Sequence, residues 1–299
     1  MSPSNYKKAI ILNVIGFSLI CLIWGTTFLV IKIGLEDLPP FLAVGLRFLM
    51  AGLVLSFYLL LAQDRVALPK GRENLKFIIS LTLLNYLVPY ALVYWGEQFI
   101  SSGLTSVIFA TLPLNIIFIS TVLFRDKPSL WDVGGVVLGL AGIVVIFSEA
   151  VFHHSGFHIQ GMIAVYLCSL SQAAIAIILK RSRIPYQPLE VNLVPFLASG
   201  VLITGLSLVS EQGRDVQITW SAVLSVIYLS VFGTVLAFGI YLWLIPRIKL
   251  SLLSTYTYIL PLIALLVGYL FLNETLSPLQ LGGTCLVLGG ITLTSRRKV

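Results

Sequence analysis

Ionisable side chains are rare inside the long apolar stretches of this sequence, and Arg47 is the one that lies deep in such a stretch. A guanidinium carries a planar fork of N–H donors that can bind a carboxylate through two parallel hydrogen bonds. The same side chain can instead serve the structure, by pairing with Glu97 or by capping neighbouring backbone carbonyls. Residue type and position alone leave both roles open.

Glu97 stands at the end of an apolar stretch and is the acid closest to an apolar interior. No carboxylate occupies the middle of any stretch, so Glu97 is the candidate for a proton-coupling group. An acid that orders a loop or pairs with Arg47 is the favoured interpretation. Because no acid lies in the middle of a span, we expect facilitated diffusion or export that is only weakly coupled to protons.

Aromatic, amide and hydroxyl side chains cluster near prolines inside the apolar stretches. A proline frees backbone carbonyls, which is tolerated where a helix lines a cavity, and Pro113 and Pro261 are the candidate kinks. Facing a cavity, such side chains hold an amphipathic solute by stacking and hydrogen bonds. The candidate cavity residues are Trp24, Arg47, Asn85, Tyr86, Tyr90, Thr111, Asn115, Gln172, Tyr256 and Tyr258. Tyr94, Trp95, Tyr241 and Trp243 lie near the ends of stretches and predict an interfacial aromatic belt.

The sequence carries no pattern typical of a catalytic site. It contains no His-Glu-x-x-His, no Gly-x-Ser-x-Gly and no phosphate-binding loop, and no pair of acids lies within the apolar stretches. His153, His154 and His158 are close in sequence, but no cysteine or carboxylate completes a metal site with them. We expect no metal and no cofactor, and an intramembrane enzyme is the alternative from a different functional class.

Composition and the lengths of the apolar stretches predict an all-α membrane protein. Charged residues make up 10% of the 299 and hydrophobic residues 58%, which a water-soluble chain of this size could not bury. A helix that crosses the hydrocarbon core needs about 20 apolar residues. On that basis ten spans are predicted: Ala9–Ile31, Phe41–Leu61, Leu75–Trp95, Leu104–Phe124, Trp131–Phe147, Gly161–Leu179, Val191–Val209, Ala222–Leu244, Leu252–Leu272 and Leu279–Thr294.

The basic residues predict the orientation of these spans. With the N-terminus in the cytoplasm, all of the 19 lysines and arginines except Lys32, Arg47 and Arg214 fall in cytoplasmic segments. They form no continuous basic patch, so nucleic acid is not an expected partner. The sequence predicts a multi-pass protein of the inner membrane with both termini in the cytoplasm.

An internal repeat divides the chain into residues 1–150 and 151–299. Identical residues recur 148 positions apart without a gap: Lys32 and Lys180, Phe48 and Phe196, Gly52 and Gly200, Pro113 and Pro261, Gly134–Gly135 and Gly282–Gly283, Gly142 and Gly290. Five spans in each half force the second copy to enter the membrane from the opposite side. Inverted repeats of this kind are typical of secondary transporters, in which two halves around one site exchange conformations.

The motifs of the first half resemble the EamA-type branch of the drug/metabolite transporter superfamily. They are Trp24-Gly25-Thr26-Thr27-Phe28, Leu46-Arg47-Phe48, Trp95-Gly96-Glu97-Gln98 and Ala110-Thr111-Leu112-Pro113-Leu114. The resemblance covers nearly the whole chain. It implies ten helices around a central cavity, with helices 5 and 10 to one side. Because the arginine is a feature of members with unlike substrates, the resemblance favours its structural role.

The resemblance also implies a function. Similar members export amino acids, metabolites derived from them and amphipathic toxic compounds, so we expect an exporter of amino-acid-like solutes that works by alternating access. A sugar-phosphate or nucleotide-sugar antiporter is the alternative within the superfamily, but it would require several basic residues in the cavity. Expected partners are the small-molecule substrate and membrane lipid, with the protein a monomer or a weak dimer.

Overall fold

The computed structural model describes residues 3–62, 72–152, 156–182, 189–244, 247–248 and 256–294. Within these ranges the chain is helical and contains no strand. The helices, in chain order, are α1 (Pro3–Asp37), α2 (Pro40–Leu61), α3 (Arg72–Leu81 and Val88–Glu97), α4 (Ser102–Phe109 and Leu112–Phe124), α5 (Leu130–Phe152), α6 (Gly156–Arg181), α7 (Glu190–Ser210), α8 (Trp220–Ser230 and Ala237–Leu244), α9 (Tyr256–Leu272) and α10 (Pro278–Thr294).

These helices confirm the predicted all-α membrane protein. In the described part of the chain, eight helices, α1 to α8, are long and apolar enough to cross a bilayer. The shorter apolar helices α9 and α10 complete the predicted order of ten. Leu252, where the ninth span was predicted to begin, lies outside the described residues. The protein is therefore a multi-pass membrane protein.

The helices pack in pairs that obey an approximate two-fold relation between the halves. Helix α1 packs against α8 and α9, and its repeat equivalent α6 packs against α3 and α4. Helix α2 packs against its own equivalent α7, and α5 against α10. This pattern agrees with two inverted five-helix repeats, because these main contacts occur in equivalent pairs.

Glycines let the equivalent helices α5 and α10 approach closely. A Cβ atom on Gly135 would lie 2.5 Å from the carbonyl oxygen of Gly290, and one on Gly142 would lie 2.6 Å from that of Gly283. Because Gly283 and Gly290 are the repeat equivalents of Gly135 and Gly142, the two contacts are copies of one another. Helix α10 is thus joined to α5 within the monomer by small-residue packing.

Two π-helical turns occupy nearly equivalent places in the repeats. Thr82–Leu87 joins the two segments of α3, and Val231–Leu236 joins those of α8. A π-turn inserts an extra residue into a helix and leaves some carbonyls without their usual partner. Both turns face the interior of the bundle with buried residues, including Tyr86 in the first and Gly233 and Thr234 in the second.

The prolines Pro113 and Pro261 affect their helices differently. Helix α4 is interrupted at residues 110–111, and Pro113 is the second residue of its next segment. Pro261 lies inside the uninterrupted segment Tyr256–Leu272 of α9. The expected symmetry of the two kinks therefore does not extend to the helix break, which is found in α4.

The close contact of α5 and α10 predicts opposite effects for two adjacent glycines. A Cβ on Gly283 would lie 2.5 Å from Ile146 and 2.8 Å from the carbonyl oxygen of Gly142, whereas one on Gly282 would meet nothing within 4 Å. Gly283→Ala should cost about 1–3 kcal/mol of stability through overpacking. Gly282→Ala should leave the midpoint of thermal unfolding in detergent unchanged or raised. Equal loss in both variants would contradict the packing described.

Candidate functional site

A cavity of about 640 Å³ lies between the two halves of the bundle. At one end it stops at Ile31, Arg47 and Val93, and we call this the Glu97 end because α3 finishes there. At the other it extends to Asp126 and Arg181, and we call this the Arg181 end. Most of the wall is aromatic and aliphatic, so the cavity suits a solute with an apolar body and few polar groups.

The structure places most of the predicted cavity residues on this wall. Those that line it are Trp24, Arg47, Asn85, Tyr86, Tyr90, Gln172 and Tyr256, and the predicted kink residue Pro113 lines it as well. They come from both repeats, and the wall includes several pairs of repeat equivalents. Trp24 and Gln172 form one pair, and Tyr90 and Phe238 another. The cavity therefore surrounds the axis that relates the halves.

Thr111 and Asn115 were expected on the wall, but the structure places them elsewhere. The Asn115 amide donates to Ser169 Oγ at 2.9 Å and accepts from the Tyr166 hydroxyl at 3.2 Å, and Thr111 Oγ1 lies 3.2 Å from Ser169 Oγ. Both side chains are buried between α4 and α6 because their polar atoms find partners there. Pro261 is buried in α9 and is not among the wall residues. The side chain of Tyr258 lies outside the described residues.

Trp24 is the centre of an aromatic cluster in the cavity. Its ring centroid lies 5.1 Å from that of Tyr256, 5.4 Å from Phe238 and 5.5 Å from Tyr241. Its indole N–H donates to the carbonyl oxygen of Gly233 at 3.2 Å, in the second π-turn. Tyr241, predicted to belong to the interfacial belt, is part of the wall, so that prediction is wrong for this residue.

Sequence reasoning missed several wall residues, among them Phe238, Tyr241, Phe109 and Thr257. The repeat offset of 148 residues contains the missing signal. It carries Tyr90 to Phe238, and it relates Phe109 to Thr257 and Val93 to Tyr241, all of which line the cavity. Applying this offset to the candidate Tyr90 would have identified Phe238 from the sequence alone.

Arg47 is buried at the Glu97 end of the cavity, with 1% of its surface exposed. Its Nε donates to Thr234 Oγ1 at 2.9 Å, while Nη1 lies 3.4 Å from the Tyr94 hydroxyl and Nη2 lies 3.4 Å from the Gly233 carbonyl oxygen. The guanidinium carbon is 4.7 Å from the centre of the Tyr90 ring, which allows a cation–π interaction. One short and two long hydrogen bonds leave the terminal nitrogens only weakly occupied.

The proposed pairing of Arg47 with Glu97 is not present. Among the described residues, no carboxylate lies within ion-pair distance of Arg47, and neither carboxyl oxygen of Glu97 has a hydrogen-bond partner. The alternative structural role is observed, because the guanidinium caps the Gly233 carbonyl. Tyr94, expected in the interfacial belt, is instead buried beside Arg47.

The Glu97 end is closed by side chains that bridge the two halves. Glu274, after α9, accepts from the backbone N–H groups of Ser102 and Gly103 at 2.9 and 3.2 Å, at the start of α4. Glu211, after α7, accepts from those of Phe41 and Leu42 at the start of α2, both at 3.0 Å. A carboxylate at a helix N-terminus satisfies unpaired donors and the helix dipole, so both contacts stabilise the closed end.

The Arg181 end carries a solvent-accessible ion pair. Arg181 donates to both oxygens of Asp126, at 2.7 and 2.9 Å, and its guanidinium carbon lies 4.1 Å from the Phe124 ring centre. About half of each side chain is exposed, so the pair contributes little to stability but places opposite charges at the entrance. Asp126 and Glu274 are repeat equivalents, 148 residues apart, yet they make different bonds at the two ends.

Comparison with known proteins agrees with this architecture. The EamA-like transporter family matches the chain twice, over residues 11–148 and 159–296. The chain belongs to this family. Each match covers one five-helix repeat, and the family places the protein among the transporters of the drug/metabolite type.

Individual relatives are similar to this chain over most of its length. The uncharacterized inner membrane transporter YedA of Escherichia coli (strain K12) is 32% identical, over 87% of this chain and 82% of its own. The uncharacterized transporter YoaV of Bacillus subtilis (strain 168) is 28% identical, over 95% and 98%. A crystal structure with 20% sequence identity covers 95% of this chain and 96% of its own with a TM-score of 0.66, which shows the shared fold.

The contacts of Arg47 predict the effect of changing Thr234. Thr234→Val removes the acceptor of the shortest guanidinium hydrogen bond and should cost about 1–3 kcal/mol, because a buried charged donor loses its partner. Thr234→Ser keeps the hydroxyl and should retain most of the wild-type stability. Thermal unfolding in detergent measures both variants. A Val variant as stable as the wild type would show that this bond does not hold Arg47.

Proposed function

We propose that this EamA-type protein is a secondary transporter that exports small amphipathic metabolites of the amino-acid type by alternating access. The observation that carries the proposal is the cavity between the repeats, which reaches the Arg181 end and is sealed at the Glu97 end. A single site that is accessible from one side at a time is the requirement for this mechanism.

The bonds of the equivalent acids Glu274 and Asp126 support alternation. At the closed end, Glu274 holds the start of α4, whereas at the open end Asp126 binds Arg181. When two similar halves exchange conformations, the closed end of one state corresponds to the open end of the other. In any one state of such an exchange, equivalent residues at the open and closed ends are therefore expected to make different bonds.

The cavity wall favours an amino-acid-like solute. The weakly occupied Nη1 and Nη2 of Arg47 provide a fork for a carboxylate at the sealed end. The rings around Trp24 suit an apolar or aromatic body, and the amides of Asn85 and Gln172 supply neutral hydrogen bonds. This combination recognises a carboxylate attached to an apolar group.

A sugar-phosphate or nucleotide-sugar substrate is less well supported. Phosphate recognition needs several free cations, and the described wall contains Arg47 and Arg181. Arg181 is paired with Asp126. Lys32 is used elsewhere, since its Nζ donates to the carbonyl oxygens of Glu97 and Ile100 at 2.6 and 2.9 Å. The names of the relatives likewise support transport rather than intramembrane catalysis.

Orientation follows from the charge distribution of the sequence. We place both termini in the cytoplasm of a cell whose inner membrane the protein spans, so the Arg181 end faces inward. Fusions of a cytoplasmic reporter to residue 1 and residue 299 should both be active, and a periplasmic reporter at either place should be inactive. Opposite behaviour of the two termini would contradict an even number of spans.

Trp24 and Tyr90 provide the test of the cavity as the substrate site. A thermal-shift screen of amino acids, aromatic metabolites, nucleobases and cationic dyes identifies a ligand, because a solute that binds the folded protein stabilises it. With that ligand, Trp24→Ala and Tyr90→Ala should weaken binding and lower uptake into proteoliposomes at least about tenfold, the effect of losing about 1.4 kcal/mol of contact.

Tyr269 supplies the matched control, since it is an aromatic residue with 61% of its surface exposed on the outside of α9. Tyr269→Ala should bind and transport like the wild type. Normal transport by both cavity variants, or loss explained entirely by lower thermal stability, would contradict the assignment of the cavity.

A further inference from the structure

Glu97 has an environment unlike that of any ordinary structural acid. Its side chain has 0% of its surface exposed, and neither carboxyl oxygen accepts a hydrogen bond in the part of the chain that the structure describes. It is also the last residue of α3, and its backbone carbonyl oxygen accepts from Lys32 Nζ at 2.6 Å. A carboxylate that is buried and accepts no hydrogen bond is disfavoured, so the neutral acid suits this position.

The charged groups around Glu97 make their hydrogen bonds to atoms other than its carboxyl oxygens. Lys32 of α1 donates to two backbone carbonyls, and Arg47 of α2 donates to Thr234, Tyr94 and Gly233. Glu274, between α9 and α10, is a like charge in the field of Glu97 and is held by Ser102 and Gly103. Tyr94, one turn earlier in α3, lies next to Arg47. Lys32 and Arg47 attract a negative charge on Glu97, but neither donates a hydrogen bond to its carboxyl oxygens.

Glu97 is also separated from the cavity, because it is not among the wall residues. In this conformation the carboxyl group of Glu97 does not face the cavity that reaches the Arg181 end. The acid can exchange its proton with water when the Glu97 end opens, and then with the compartment on that side. A group that takes and returns its proton on one side moves no net proton across the membrane.

We propose that Glu97 is a proton-binding site that keeps the Glu97 end closed while it is protonated. Ionisation requires hydration, and hydration requires that Glu274 release the start of α4 and that the end open. Acidification on the Glu97 side should therefore favour the closed state, and alkalinisation should favour opening. This inference rests on the alternating access of the proposed function, but its tests need no substrate.

Infrared spectroscopy tests the protonation directly. At neutral pH, the purified protein should show the C=O stretching band of a protonated carboxylic acid, and Glu97→Gln should lack that band. Glu36→Gln is the matched control, since Glu36 is an exposed acid of the same end and its removal should leave the band intact. A spectrum without the band, or a band unaffected by Glu97→Gln, overturns the proposal.

Thiol labelling tests whether opening of the Glu97 end depends on pH. Thr105 is fully buried near the start of α4 and is not part of the cavity wall, so Thr105→Cys should react with an impermeant maleimide when the Glu97 end opens. The new cysteine is introduced into a protein whose three native cysteines have been replaced by Cys21→Ala, Cys168→Ala and Cys285→Ala. Rates are expressed relative to free cysteine at the same pH, which removes the intrinsic reactivity of the thiolate.

The relative labelling rate should rise with pH, by at most about tenfold for each pH unit because one proton is linked to opening. Glu97→Gln should hold the rate at its low-pH value, and Glu97→Leu, which is apolar and of similar size, should also remove the pH dependence. A wild-type rate that does not change with pH, or an equal slope in the Gln variant, overturns the proposal even if the protein transports the expected solute.

Discussion

Hydrocarbon offers no partner to a charge, and this constraint decides where the polar groups of the protein lie. Arg47 finds hydrogen-bond partners in the second π-turn. That turn brings the Gly233 carbonyl and the Thr234 hydroxyl to the guanidinium, and the same carbonyl accepts from Trp24. The sealed end of the cavity, the orientation of its central aromatic ring and the contact between α2 and α8 therefore depend on one small network.

The two-fold relation between the halves supports the proposed transport mechanism. Two equivalent glycine contacts, one from each repeat, hold α5 closely against α10. These two helices therefore pack tightly against each other to one side of the cavity. The ends of the bundle differ, since carboxylates bridge the halves at the Glu97 end and an exposed ion pair lies at the other. Close side packing together with two unlike ends is the arrangement that the proposed rocking of the halves around one site requires.

The sequence predicts the fold of this protein well because hydropathy and the repeat act over long stretches. Apolar runs of about 20 residues determine the spans, and the offset of 148 residues determines which helices are equivalent. The aromatic residues Trp24, Tyr86 and Tyr90, which the sequence assigns to a cavity, line the one between the halves. Each lies well inside a span, where an aromatic side chain near polar neighbours favours a cavity.

The remaining site details depend on helix rotation and on partners in distant segments. Thr111 and Asn115 face α6 because Ser169 and Tyr166 satisfy their polar atoms, and no local pattern reveals this. Tyr241 was assigned to the interface from its position along the chain, although the rotation of α8 turns it toward Trp24. The isolation of Glu97 from Arg47 is similarly a result of the π-turn, which provides Arg47 with other acceptors.

The most direct measurement of alternating access is transport by a protein whose Glu97 end is locked. The hydroxyl of Ser102 lies 2.6 Å from a carboxyl oxygen of Glu274, so cysteines at these two positions can be joined by a disulfide or a short thiol cross-linker. In proteoliposomes, the joined protein should bind the ligand found by thermal shift but should not transport it, and cleavage of the link should restore transport. Full transport with the link in place would contradict the alternating-access account.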